Sequence, residues 1–315
     1  MNKLMPIFLL TSFILTTIAC SCSYLPPIIL NPEVSKLSGH RFHEISCLSD
    51  GDTIIAVSLM NPGLENKLLT IAVPEGHVED INERWSDFSL PSGSPTESMA
   101  VVTVSVNEIW LLDVEHANLK FLTKGDGAIF SRDGSEIIIY VSNLSVSDLN
   151  HRELRYIDLQ GKVVRTVNLE FDDDLSHQGR EHLTGLSLSP DEKYLLISLV
   201  NFDPEIFQYT TYVADTRSGE VVNMYLEGKA GYAHWSPDGS RLAYINVTDD
   251  ILGEGELVIA DREGNCLYKP DIPAEVDGLT WSPDCNRIAF LLRGAIYILD
   301  LETLSTSEEA IERCQ

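Results

Sequence analysis

The 315-residue chain carries 22 basic and 48 acidic side chains, a formal charge of −26. That balance excludes a general nucleic-acid binder, whose affinity comes mainly from Lys and Arg on phosphates, and disfavours adhesion to an anionic membrane surface. Apolar residues make up 44% of the chain, too many for a disordered acidic protein, so a buried core is expected.

The first element reads as a leader. Lys3 precedes an apolar stretch from Leu4 to Ala19, which Ser21, Cys22, Tyr24, Pro26 and Pro27 bring to an end. The stretch falls short of the roughly 20 apolar residues a transmembrane helix needs and has the proportions of a secretory h-region. Residues 1–19 are therefore read as a signal peptide and 20–40 as a tether. The segment Thr17-Ile18-Ala19-Cys20 resembles a bacterial lipobox, with Thr17 where Leu is usual. The resemblance implies that Cys20 becomes the lipid-bearing first mature residue, so that the exported chain meets the membrane through its N-terminal lipid only. In an oxidising compartment Cys47, Cys266, Cys285 and Cys314 allow three full pairings, between which spacing does not choose.

From about residue 41 one unit recurs: a short apolar strand, a turn rich in Ser, Pro, Asp and Gly, and a second apolar strand. The clearest copies are Trp235-Ser236-Pro237-Asp238-Gly239 before Arg241 to Ile245, and Trp281-Ser282-Pro283-Asp284 before Arg287 to Phe290. Weaker copies centre on Asp50, Thr96, Asp133 and Asp191. The third turn positions, 50, 96, 133, 191, 238 and 284, lie 46, 37, 58, 47 and 46 residues apart. Each turn pair is followed by a third apolar strand, such as Tyr212 to Asp215 or Leu257 to Asp261, then a turn such as Ser218-Gly219 and a fourth apolar run such as Val221-Val222. Four short strands joined by turns form an antiparallel meander, and no long 3.6-residue apolar stripe points to helices. Six such units over 41–303 predict an all-β fold, a six-bladed β-propeller of four-stranded antiparallel blades. In the turns Pro presets φ, Asp bonds back to the backbone and Gly permits positive φ, so Asp50, Asp133, Asp191, Asp238 and Asp284 are read as structural.

The Trp-Ser-Pro-Asp-Gly repeat resembles that of TolB-type propellers, which recurs in the propeller domains of prolyl oligopeptidase-like enzymes. By analogy the resemblance implies an interaction role at the cell envelope. It is informative about fold and weak about activity, since one fold hosts many functions. The last unit lacks an obvious fourth strand. Ile28 to Leu30 is the N-terminal candidate to complete it, and a strand from the tail, residues 304–315, is the competitor. Thr306 and Glu309 form a capping-box pattern that predicts a short helix in that tail.

Loops joining second to third strands, and one unit to the next, should gather around one mouth of the channel. Residues 170–182, 201–209 and 247–256 hold 11 acidic residues against one basic, Arg180. Asp172, Asp173, Asp174, Asp203, Glu205, Asp249, Asp250, Glu254 and Glu256 are thus candidates to bind a cation or a basic protein or peptide partner. Ca²⁺ suits them because it takes about six to eight oxygen ligands, although no EF-hand spacing is present. His177 and His182 border this set, and His234 lies beside Trp235 in an inner strand. The sequence lacks a Gly-x-Ser-x-Gly elbow, a His-Glu-x-x-His pair and a phosphate-cradling Gly-rich loop. The reading is a non-catalytic interaction module, with a metal-dependent propeller enzyme of lactonase or lyase type as the alternative.

Overall fold

In the computed structural model the described residues are 34–38, 42–58, 67–73, 75–81, 88–105, 107–142, 152–171, 181–201, 208–224, 226, 228–249 and 254–301. The expected leader, the Ile28 to Leu30 strand and the tail helix lie outside them. Among the described residues there is no helix, and 24 antiparallel strands carry the fold. Strand β1 (Val34–Ser38) precedes the first meander in the chain and pairs with the last strand. The strands β2 (Phe42–Cys47), β3 (Thr53–Ser58), β4 (Lys67–Ala72) and β5 (Val78–Asp80) form one meander. A second comprises β6 (Phe88–Gly93), β7 (Met99–Val104), β8 (Glu108–Asp113) and β9 (Asn118–Lys124). The third is β10 (Gly127–Phe130), β11 (Glu136–Ser142), β12 (Arg152–Asp158) and β13 (Val163–Asn168). The fourth is β14 (Glu181–Leu188), β15 (Tyr194–Asn201), β16 (Gln208–Asp215) and β17 (Val221–Asn223).

The remaining strands depart from the expectation of six separate sheets. β18 (Ala230–Trp235), β19 (Arg241–Asp249), β20 (Glu254–Asp261) and β21 (Cys266–Tyr268) join β22 (Val276–Trp281), β23 (Arg287–Leu292), β24 (Ala295–Asp300) and β1 in a single eight-stranded sheet. The join is one pairing, Gly255 with Val276. Its cause is local: β21 pairs only with Ile259 and Ala260 of β20, which leaves the start of β20 as an open edge that Val276 occupies. The outer edge of β24 is taken by Val34–Ser38, with Val34 opposite Leu299.

Burial grades outward along each meander. Second strands are buried on both faces, so β3 and β15 read as continuous apolar runs, whereas β13 at the rim is almost wholly exposed. The core is divided among the interfaces between neighbouring meanders. Ile138 and Leu154 pack against Leu195 and Tyr212, Leu196 against Leu242 and Val258, and Phe42 and Ile54 against Leu291 and Ile296. The last contact closes the array on itself, and Phe42 N–H donates to Gly294 O at 2.6 Å across the same seam. Each fully buried Ile or Leu in these interfaces contributes on the order of 1.5–3 kcal/mol. The result is an all-β, propeller-like ring.

At one end of the ring the repeat turns are stitched by side chains. Ser236 Oγ donates to Asp238 Oδ1 (2.6 Å) and accepts from Arg241 N–H (3.0 Å), while Asp238 Oδ1 accepts Ser240 N–H (3.0 Å). Ser131 with Asp133, Ser189 with Asp191, and Ser282 with Asp284 repeat the pattern, and Asp50 accepts both Thr53 N–H and Thr53 Oγ–H. The fourth turn position has positive φ whether it holds Gly239 (71°) or Cys285 (63°). Adjacent turns are tied together: Arg241 Nη2 donates to Cys285 O (2.9 Å), and Arg287 Nη2 to Gly51 O (3.4 Å).

Candidate functional site

The first strands of the meanders, β2, β6, β10, β14, β18 and β22, stand around one cavity of about 200 Å³. Each touches the next, and β22 touches β2. Because these inner strands are not sheet neighbours, N–H groups facing sideways need another acceptor. Hydroxyls supply it: Cys47 N–H donates to Thr280 Oγ1 (3.3 Å), Gly93 N–H to Ser46 Oγ (3.0 Å) and Trp235 N–H to Ser187 Oγ (2.9 Å). The signal was present in the sequence, since Ser46, Ser92, Ser187 and Thr280 all stand two residues ahead of the first turn position.

At the end away from the turns, five inner strands slip register. The shifts fall at Phe42/Glu44, Ser89/Ser92, Leu183/Gly185, Gly231/His234 and Val276/Gly278. Such bulges bend a strand and re-aim side chains. Leu90 (φ 46°) and Tyr232 (φ 53°) take left-handed backbone within them. Through these bulges Glu44, Leu90, Thr184 and Tyr232 line the cavity.

The electrostatics of this mouth follow from burial. Glu44 is pushed up to about 8 by burial, against the Leu90 N–H that donates to its carboxylate. Burial also raises Tyr232, reinforced by Tyr209, Asp277 and Glu44 nearby. His234 is pushed down to about 4 by burial. Beside β10, burial raises Asp126 although Ser142 donates to it through N–H (2.5 Å) and Oγ–H (2.8 Å), and burial lowers His182, which Asp126 partly offsets. At neutral pH Glu44 and His234 are therefore uncharged, beside the aromatic rings of Tyr232, Trp235 and Trp281, while Arg132 brings a positive charge to the same cavity. A concave wall that mixes aromatic rings with polar groups is suited to binding.

The sequence candidates fare unevenly. Asp172, Asp173, Asp174, Asp203, Glu205, Asp250 and His177 lie outside the described residues. Asp249 is in register with Glu254 across β19 and β20. Glu256 is part-exposed; Asn246 Nδ2 donates to it at 3.4 Å and Lys269 Nζ lies at 3.9 Å. Among the described residues no three His, Cys, Asp or Glu side chains are grouped as a metal would require. His234 lines the cavity, and its carbonyl accepts Trp281 Nε1–H at 3.3 Å. Cys47 and Cys285 are thiols, whereas Cys266 is disulfide-bonded, so the fully paired framework of four does not form. Sequence reasoning missed Glu44 and Tyr232, because bulges rather than strand alternation present them, and Asp126, which sits in the short link between β9 and β10.

No protein-family model matches the chain. Prolyl endopeptidase FAP of Mus musculus is 26% identical over 165 residues, 47% of this chain and 20% of that protein. The chain thus spans about one fifth of that relative's length. Among solved structures, a gluconolactonase from Xanthomonas campestris superposes with a TM-score of 0.60 at 15% identity, covering 88% of this chain and 95% of that one. TolB from Acinetobacter baumannii gives 0.55 at 19% identity over 75% and 55% of the two chains. A chain of a nidogen/laminin complex gives 0.56 at 10% identity over 76% and 84%. At these identities the likeness is one of fold.

Proposed function

We propose that the protein is an exported, non-catalytic propeller that binds a protein or peptide at the bulged mouth of its central cavity. The observation that carries this is the cavity itself: six inner strands surround it, and five of them break register at the same end. We read the eight-stranded sheet as two units joined through Gly255 and Val276, a reading supported by its two inner strands, β18 and β22. The partner carries basic groups, drawn by residues 170–182, 201–209 and 247–256, whose flanking strands end around this mouth. That a propeller similar in fold occurs in a nidogen/laminin complex supports a protein as the occupant. A metal-dependent enzyme of lactonase type is the second reading, supported by the likeness in fold to a gluconolactonase.

The chain reaches the envelope through the leader and a lipid on Cys20, a reading supported by the Cys266 disulfide, since such bonds persist in oxidising compartments. Globomycin should accumulate a heavier precursor; unchanged migration would remove the lipid from the account. For binding, crosslinked pull-downs from native envelopes should recover a partner with the wild type and lose it with Glu44→Arg at equal expression and unchanged circular dichroism. Equal recovery by both would place the partner elsewhere.

A further inference from the structure

The cavity has opposite charges at its two ends. Among the described residues lining it, Glu44 is the only acid and Arg132 the only Lys or Arg. Arg132 belongs to the turn end, where Nε donates to Ser189 O at 3.5 Å and Nη2 to Leu188 O. Glu44 stands at the bulged end and commits half of its carboxyl. Its Oε2 accepts the Leu90 N–H, whereas Oε1 takes no hydrogen bond among the described residues. His43 Nδ1 lies 3.7 Å from Oε1, and the Glu44 side chain is 24% exposed, so a ligand can reach it.

The elements packed around Glu44 bring it no lysine or arginine. Val57 of β3 is next to it in the pairing, and β6 presents only the Leu90 backbone. From β18 comes Tyr232, whose phenol shares a hydrogen bond with Tyr209 of β16. β22 adds the Asp277 carboxyl, within electrostatic reach of that phenol, as Glu44 is. Arg293, in the turn between β23 and β24, is held by Glu275 at 2.7 Å, and Lys67 of β4 by Asp80. One open oxygen suits an ammonium better than a guanidinium. The guanidinium fork engages both oxygens of a carboxylate, whereas an ammonium is a point charge that one oxygen serves. The aromatic ring of Tyr232 in the same wall adds its own attraction for a cation.

Resting on the reading of the bulged mouth as the partner's seat, we propose that this mouth takes a primary ammonium, a lysine side chain of the partner, on Glu44 Oε1 beside the Tyr232 ring. Seating it requires Glu44 to ionise. The carboxyl holds its proton at neutral pH in the free protein, so each ammonium bound releases one proton to solvent. Affinity therefore climbs about tenfold per pH unit up to about 8 and levels off above it.

The test titrates the full chain with n-butylammonium, followed by saturation-transfer NMR across about pH 6 to 8, where the probe keeps its charge. Binding should tighten about tenfold per pH unit in the wild type and in His43→Gln, and Glu44→Gln should abolish the slope. A flat wild-type profile, a slope lost in His43→Gln or a slope kept in Glu44→Gln would each overturn the proposal, as would tighter binding of n-butylguanidinium. Should Glu44→Gln fail to fold, the wild-type and His43→Gln profiles decide. The pull-down with Glu44→Arg judges the mouth separately. Loss of the partner beside a flat probe profile removes the ammonium and keeps the mouth; a proton-linked probe beside undisturbed recovery keeps the ammonium site and removes the mouth as the partner's seat.

Discussion

The two ends of the ring use the same carboxyl chemistry to opposite effect. At the turn end Asp133 is held down to about 2, first by the Ser135 N–H and then by the Ser135 and Ser131 hydroxyls. Asp191 is lowered as well, chiefly by the Ser189 hydroxyl. At the bulged end Glu44 is pushed up to about 8 and Asp126 is raised, both by burial. One end satisfies its carboxylates within each repeat turn; the other leaves a desolvated carboxyl lining a cavity. Residues that spend stability in this way mark functional sites more often than structural ones.

The largest expected effect breaks the idea that only the turn end is structural. Arg152 pairs with Glu181, both side chains nearly buried, and stacks on Phe171 at 4.3 Å between the third and fourth meanders. Arg152→Ala strands the Glu181 charge and should cost about 3–5 kcal/mol, read by urea denaturation. The paired change Arg152→Leu with Glu181→Leu should recover most of that loss.

The next sharpens the contrast through pH. Glu44 titrates near 4.5 unfolded and about 8 folded, so the folded state retains a proton that the unfolded chain has released. Stability should therefore decline as pH rises from about 4.5 to about 8, and Glu44→Gln should remove that part of the slope while matching the wild type at low pH. Asp133 runs the other way: its contribution is present above its unfolded value near 3.8 and is lost as pH falls towards 2. Asp133→Asn should move the acid-unfolding midpoint up without altering the neutral-to-alkaline slope.

Smaller effects belong to the turns. Gly239 has φ 71°, and a Cβ there would lie 3.0 Å from the Pro190 ring, so Gly239→Ala should cost about 1–2 kcal/mol. Cys285 occupies the equivalent position at φ 63°, and Cys285→Gly should gain up to about 1 kcal/mol. Both are read as shifts in melting temperature, with partner binding unchanged.

The turn end was legible in the sequence because its chemistry is local. Ser236, Pro237, Asp238 and Gly239 fold on one another within five residues, so their identities announce the turn. The bulged end was not legible for the opposite reason. His43-Glu44 reads as a polar strand start, and only the slip between Phe42 and Glu44, set by pairing with β3, turns the carboxyl inward. The merger of the last two meanders was hidden likewise, because it depends on how little of β20 the short β21 covers. Acidic composition drew attention to Asp172 to Asp174 and to Glu254 and Glu256. In the structure the less conspicuous Glu44 also faces the cavity.

In the proposed function the bulged mouth, not the turn end, receives the partner. A photo-crosslinking amino acid at His43, which lines the cavity, should yield a discrete adduct in native envelopes, while the same group at exposed Ser240 in a repeat turn should yield none. An adduct from Ser240 with none from His43 would contradict the claim.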